Sequence, residues 1–240
     1  MYRREWHYAG RACTGILLWL VVAPAAGAAA EPDPLRERVQ ACTACHGEEK
    51  IEIAEGYVPR IRGKPAGYLY NQLMNYRAHR RHDATMNHLV RNLSAKYLFE
   101  IAEYFAAQQP PYPEPAPTPD DPALRERGQA LVEHGDPDAG IPACRACHGE
   151  RLTGVLPATP GLIGLPQHYL SAELNGWQLG RREAAEPDCM ATIVERMSGH
   201  DIQAVSAWLA ARPLPDDTRP DAEAIEATPM NCGSIPRPDK

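Results

Sequence analysis

One short motif stands twice in this chain and limits its fold more than any other feature. Cys42-Thr43-Ala44-Cys45-His46 and Cys144-Arg145-Ala146-Cys147-His148 share the pattern C-x-x-C-H, about a hundred residues apart. That pattern is the attachment site of a c-type haem. Each thiol adds across one vinyl group, and the histidine binds the iron. One helical turn sets both sulfurs along one porphyrin edge with the imidazole over the metal. A single C-x-x-C would equally suit a redox dithiol or half of a zinc site. The following histidine, the duplication and an export signal turn the reading to two covalently bound c-type haems. Cys42, Cys45, Cys144 and Cys147 carry them, and His46 and His148 bind their iron.

The 240 residues suit one or two domains. Only two phenylalanines are present, so a haem would supply much of the apolar bulk in each small core. The first thirty residues read as a secretory signal peptide. Arg3, Arg4 and Arg11 make a basic start, and Ile16 to Ala23 is an apolar run too short to span a bilayer. Ala28-Ala29-Ala30 offers a cleavage site near Ala30. A chain that receives haem after export belongs in an oxidising compartment, and the expected localisation is the periplasm.

Cleavage would move the net charge from −6 to −8. Residues 31–112 are nearly neutral, whereas residues 113–240 carry eleven basic and twenty acidic side chains. Nothing here favours nucleic acid. The asymmetry suggests oriented docking, with a cationic partner drawn to the second half and its tail.

Aligning the motifs exposes an internal repeat. Pro59-Arg60-Ile61-Arg62-Gly63 answers Pro160-Gly161-Leu162-Ile163-Gly164. Five residues past each glycine stands Tyr68-Leu69 or Tyr169-Leu170, then Tyr76 or Trp177, Arg80 or Arg181, and Met86 or Met190. Eight residues past each methionine, Ser94 or Ser198 reads as a helix N-cap. Apolar periodicity then predicts closing helices over 95–108 and 199–211. Leading helices over 34–44 and from 124 to 133, and middle helices over 66–80 and 167–179, complete three helices per half. Strand signals are nearly absent, so the fold class is all-α. The expected division is 31–110 for the first domain, 111–122 for a Pro-rich linker, 123–213 for the second domain and 214–240 for a Pro- and acid-rich tail.

With these residues in place the chain resembles the di-haem class I cytochromes c of the c-four type, over about residues 34–211. The resemblance implies two tandem cytochrome c-like helical domains, each enclosing one covalent haem, facing each other across a pseudo-two-fold interface. It also implies a periplasmic carrier of electrons between redox protein partners, a donor such as a quinol-cytochrome c reductase and a membrane-bound terminal oxidase as acceptor. No small-molecule substrate is expected. The stretch His134–Pro142 and the tail with Cys232 lie outside the pattern.

The far-side iron ligand must be chosen. A thioether favours ferrous iron and raises the potential. Met86 and Met190 occupy matching places in the two halves. Met74 and Met197 suit core packing, and Met230 has no counterpart. His79, His82 and His88 are rival donors in the first half, while His134, His168 and His200 have no matched partners. In cytochromes of the resembled fold a proline carbonyl holds the ligating imidazole N–H, which gives Pro59 and Pro160 that role. Arg80 and Arg181 are candidates for pairing with haem propionates. Cys189 and Cys232 remain after the haem motifs and the signal, with its Cys13, are set aside. They either form a disulfide or stay as two thiols.

Two six-coordinate irons leave no open site for substrate, so the leading function is outer-sphere electron transfer and not catalysis. The alternatives are a fixed haem subunit of a dehydrogenase or oxidase complex, and a di-haem peroxidase with one releasable ligand position. Mass spectrometry of the denatured exported protein is expected to show an increment of two haems. One haem, or none, would remove the foundation of this reading.

Overall fold

Short capped helices, one set per half, make up the structure. The computed structural model describes residues 34–47, 52–53, 56–109, 111–117, 120–223 and 228–235. The expected export signal and Cys13 lie outside the described residues. In the first half α1 (Pro34–Arg38) and α2 (Gln40–His46) run through the first motif. A small antiparallel pair follows, β1 (Glu52–Ile53) with β2 (Gly56–Tyr57). Then come α3 (Ala66–Arg77), α4 (Ala84–Val90) and α5 (Ala95–Ala106). The second half repeats the order: α6 (Pro122–Glu133), α7 (Cys144–His148), β3 (Gly154–Val155) paired with β4 (Thr159–Pro160), α8 (Gln167–Gln178), α9 (Cys189–Glu195) and α10 (Gly199–Ala210). The architecture is all-α, with strands reduced to two-residue pairs.

Among the described residues each half holds five helices where three were expected: the leading helix is divided in two, and a short helix precedes the closing one. α4 and α9 carry Met86 and Met190, and at seven residues each they are too short for apolar periodicity to announce. Their caps are legible instead. Asp83 accepts from Met86 N at 2.8 Å, and Asp188 accepts from Ala191 N at 3.1 Å. The middle helices stop earlier than expected for a backbone reason. The amides of Arg80 and Arg81 both turn back to Asn75 O, and those of Arg181 and Arg182 to Gly176 O. Each turn passes through a left-handed residue, His79 (φ 56°) or Gly180 (φ 63°). Ser94 and Ser198 cap the closing helices, and Ser198 completes a capping box with Asp201.

Two apolar cores follow from these faces. Val39, Leu98, Ile101 and Phe105 are buried in the first, and Leu131, Val194, Ile202 and Leu209 in the second. α10 crosses α6 closely at Gly128, where a Cβ would come within 2.4 Å of Ala204 O. The stretch His134–Pro142 closes on itself, with Asp136 N and Ile141 N each donating to the other's carbonyl at 2.7 and 2.8 Å.

The halves share a seam within one contact unit that spans residues 33–240. Gly67 N donates to Pro157 O at 3.0 Å, and Glu183 N to Arg80 O at 2.7 Å. The described part of the linker is docked and does not act as a free spacer. Ala116 N donates to Ala210 O, and Tyr112 lies under the Arg60 guanidinium at 3.6 Å from its ring.

The tail is ordered where described. Arg151 pairs with Asp217 and Asp221, and Asp217 also accepts from Arg219. These bonds neutralise part of the tail's acidity internally, which weakens the expected attraction of a cationic partner; Asp216 and Glu223 stay exposed. Further on, Asn71 Nδ2 donates to Ser234 O at 2.8 Å, and Gly233 N to Pro187 O at 3.0 Å. Cys189 and Cys232 form a disulfide, 43 residues apart in sequence. Thiol titration of the non-reduced, denatured haem protein is expected to find neither cysteine free. Cys232→Ser should cost about 4 kcal/mol in the chain-entropy account of a loop this long. Two titratable thiols would refute the bridge.

Candidate functional site

Each motif histidine is locked by one hydrogen bond. His46 Nδ1 donates to Pro59 O at 2.9 Å, and His148 Nδ1 to Pro160 O at 2.7 Å. A carbonyl only accepts, so Nδ1 holds the proton and Nε2 is left with a bare lone pair. Burial pushes both pKa values below the ordinary histidine range, against the carbonyls that raise them. Both rings are therefore neutral near pH 7, the state a metal ligand needs.

The thiols border apolar space. Burial raises the pKa of Cys42 and of Cys147 and pushes Cys144 up to about 12. In the second half Cys144, Cys147, His148 and Met190 line one cavity, walled by Leu131, Tyr169 and other apolar groups. In the first half Cys42 and Met86 pack against the same core. Asp188, which caps α9, also accepts from Trp177 Nε1 at 3.1 Å and so ties the Met190 helix to α8.

A charged cluster fills the seam beside that cavity. Arg81 and Arg182 pair antiparallel through their backbones, and both guanidinium groups bind Glu173. Both also reach Gln72 Oε1, at 3.0 and 3.3 Å. Gln72 and Glu173 each stand four residues past the repeated tyrosine, so the seam is a two-fold arrangement with one carboxylate missing. Lys64 is 7% exposed, and burial together with Arg60, Arg182 and Arg81 depresses its pKa to about 7.

The residues present fit a haem. Paired thiols on one helical turn, a neutral imidazole with Nε2 bare, apolar walls and a cationic margin for carboxylates meet its demands in turn. Among the described residues no group of three or more His, Cys, Asp or Glu could hold a metal ion by itself.

Several expected residues lie elsewhere than assumed. Arg181 is exposed, and Arg80 Nε is bound to Asn75 Oδ1 at 2.9 Å. The next residue in each repeat, Arg81 or Arg182, is the buried one. Each half has an Arg-Arg pair, and the sequence offered no means to choose between its members. His79, His82, His88, His134, His168 and His200 are all exposed. Met197 and Met230 line the second cavity together with Met190. Met230 arrives with the tail, and nothing in the repeat pointed to it.

No family model matches the chain. It is 38% identical to the thiosulfate dehydrogenase electron acceptor of Thiomonas intermedia over 204 residues, 85% of this chain and 89% of that protein. It is 30% identical to cytochrome c4 of Pseudomonas aeruginosa over 196 residues, 81% of this chain and 94% of that one. Among solved structures, reduced recombinant cytochrome c4 of Pseudomonas stutzeri matches with a TM-score of 0.61 at 28% identity, covering 74% of this chain and 96% of that one. The thiosulfate dehydrogenase TsdBA of Marichromatium purpuratum matches with a TM-score of 0.62 at 31% identity over 72% of this chain, which spans only 36% of that longer chain.

Fold and site together define a di-haem class I c-type cytochrome. More narrowly, the chain belongs to the cytochrome c4 family. It carries two covalently bound c-type haems and is an electron carrier, so the peroxidase alternative falls away.

The seam makes its own prediction. Glu173→Gln leaves two buried arginines without a carboxylate and should destabilise the protein by about 3 kcal/mol. Adding Gln72→Glu moves the carboxylate to the equivalent place and should recover most of that loss in denaturant unfolding. No recovery would mean that the two positions are not interchangeable.

Proposed function

We propose that each iron sits between a histidine and a methionine, His46 with Met86 and His148 with Met190, and that Cys42, Cys45, Cys144 and Cys147 make the thioether bonds. The observation that carries this is the duplicated imidazole–proline bond, which prepares both rings as ligands in the same way. Bound haem supplies reversible one-electron chemistry. The chain's part is to hold both axial donors in place so that little reorganises on transfer. Met190 is preferred over Met230 and Met197 because it shares with Met86 a capped short helix and the spacing to the closing serine. Arg81, Arg182 and Lys64 replace Arg80 and Arg181 as the better candidates for the haem carboxylates.

The protein works in the periplasm after cleavage near Ala30 and relays electrons between a dehydrogenase and a downstream respiratory acceptor. The relative in Thiomonas intermedia supports a donor that oxidises a small sulfur oxyanion. That reading displaces quinol-cytochrome c reductase as first choice and leaves a terminal oxidase as the acceptor. Likeness to part of a longer thiosulfate dehydrogenase supports a second reading, a haem subunit docked on its dehydrogenase. Among the described residues no helix is long and apolar enough to cross a membrane.

Met86→His and Met190→His should each remove one haem's share of the weak far-red sulfur–iron band and lower one midpoint potential, whereas Met230→Leu should leave the band whole. Loss of the second haem's share in Met230→Leu would transfer the ligand role to the tail. Mixing the oxidised protein with a thiosulfate dehydrogenase and thiosulfate should reduce both haems in stopped flow. Reduction no faster than without the enzyme would exclude that donor. Co-elution of the two proteins in gel filtration would favour the docked-subunit reading.

A further inference from the structure

We infer that Lys64, a residue of the first half, acts across the seam on the second haem site and biases an electron toward the second iron. The repeat isolates the residue. Gly63 and Gly164 correspond, so Lys64 corresponds to Leu165, and the two are buried alike at 7% and 6% exposed. Leu165 packs into the second core. Lys64 crosses the seam, and its Nζ donates to Gly161 O at 3.4 Å. Gly161 follows Pro160, whose carbonyl holds His148. Lys64 also lines the cavity shared by His148 and Met190.

The ammonium has three donors, and among the described residues they meet only Gly161 O at 3.4 Å and the Tyr68 ring at 5.9 Å, which leaves capacity for a carboxylate of the bound haem. Among the described residues no carboxylate pairs with it. Glu173, which lines the same cavity, is held by Arg81 and Arg182. Lys64, Arg81 and Arg182 thus share Glu173 and the carboxylates of the bound haem, and a buried charge is screened far less than one in water.

The charge acts unevenly on the two sites. Lys64 lines the cavity of His148 and Met190, whereas its counterpart Leu165 is an uncharged member of the second core. Ferric iron carries one more positive charge than ferrous iron. A nearby cation therefore disfavours the ferric state and raises the midpoint of the iron it faces. An electron entering at the first haem runs downhill to the second. Leu165 offers the first haem no matching charge, so the direction is built into one position of the repeat.

This inference rests on the proposed His148–Met190 ligation. Its test is a spectroelectrochemical titration of the di-haem protein in two backgrounds. In Met86→His the second haem remains the high-potential one and can be read alone; in Met190→His the first can. Below pH 7, where Lys64 is protonated, Lys64→Leu should lower the second midpoint by an amount equal to a roughly tenfold shift in electron distribution, the order of one unit charge in a partly screened interior. It should move the first midpoint less, and Lys64→Arg should restore the second. Should Lys64→Leu fail to fold, Lys64→Met keeps the unbranched stem and carries the same expectation. An unmoved second midpoint, equal shifts at both haems, or no restoration by arginine would overturn the inference. The far-red band keeps the two readings separable. A missing second-site band fails the ligand assignment, while an intact band with an unmoved midpoint fails the role of Lys64.

Discussion

A hydrogen bond that holds the proton on one imidazole nitrogen leaves the other free for iron and fixes the ring's orientation, and that bond organises both halves of this protein. The bond from Nδ1 to a proline carbonyl needs a motif helix on one side and an irregular segment on the other, held at 2.9 Å in one half and 2.7 Å in the other. Proline suits that segment because it has no N–H of its own to satisfy. In the second half the acceptor sits in a two-residue strand pair, and Gly161 lies so close to Thr153 that a Cβ would come within 2.4 Å of its carbonyl oxygen. In the second half the small sheet is thus the fixture that holds the carbonyl, whereas Pro59 lies two residues past β2.

A second constraint is that two such halves must meet without burying unpaired charge. Arg81 and Arg182 lie at the centre of the seam, and they tolerate burial because each finds Glu173 and the Gln72 oxygen. The arrangement is symmetric in shape and asymmetric in charge. One carboxylate has an amide as its counterpart, and one leucine has a lysine. Duplication explains the common geometry, and these substitutions give the two halves different electrostatic surroundings.

Much of this was readable before any coordinates. The C-x-x-C-H pair marked the haem sites, the repeat marked the prolines and methionines, and serine caps marked the closing helices, because each signal is local and tied to a fixed spacing. The Met-bearing helices were missed because seven residues show too little periodicity. The buried arginines were missed by one position, since burial depends on where the turn after α3 or α8 leaves the chain. Lys64 was invisible as a functional group because its meaning lies in the half it does not belong to. Met230 was invisible because only the folded tail brings it to the cavity.

The cysteines set an assembly problem that the finished fold conceals. Four of the six outside the expected signal must stay reduced until vinyl groups add to them, while Cys189 and Cys232 must be oxidised to each other. Six cysteines can pair in 15 ways, and Cys144 and Cys147 line the same cavity as Cys189 and Cys232. Haem attachment to the second motif removes the two thiols that share this cavity as competitors for the bridge. A haem-first, strap-second order of covalent steps would leave Cys189 and Cys232 only each other to pair with.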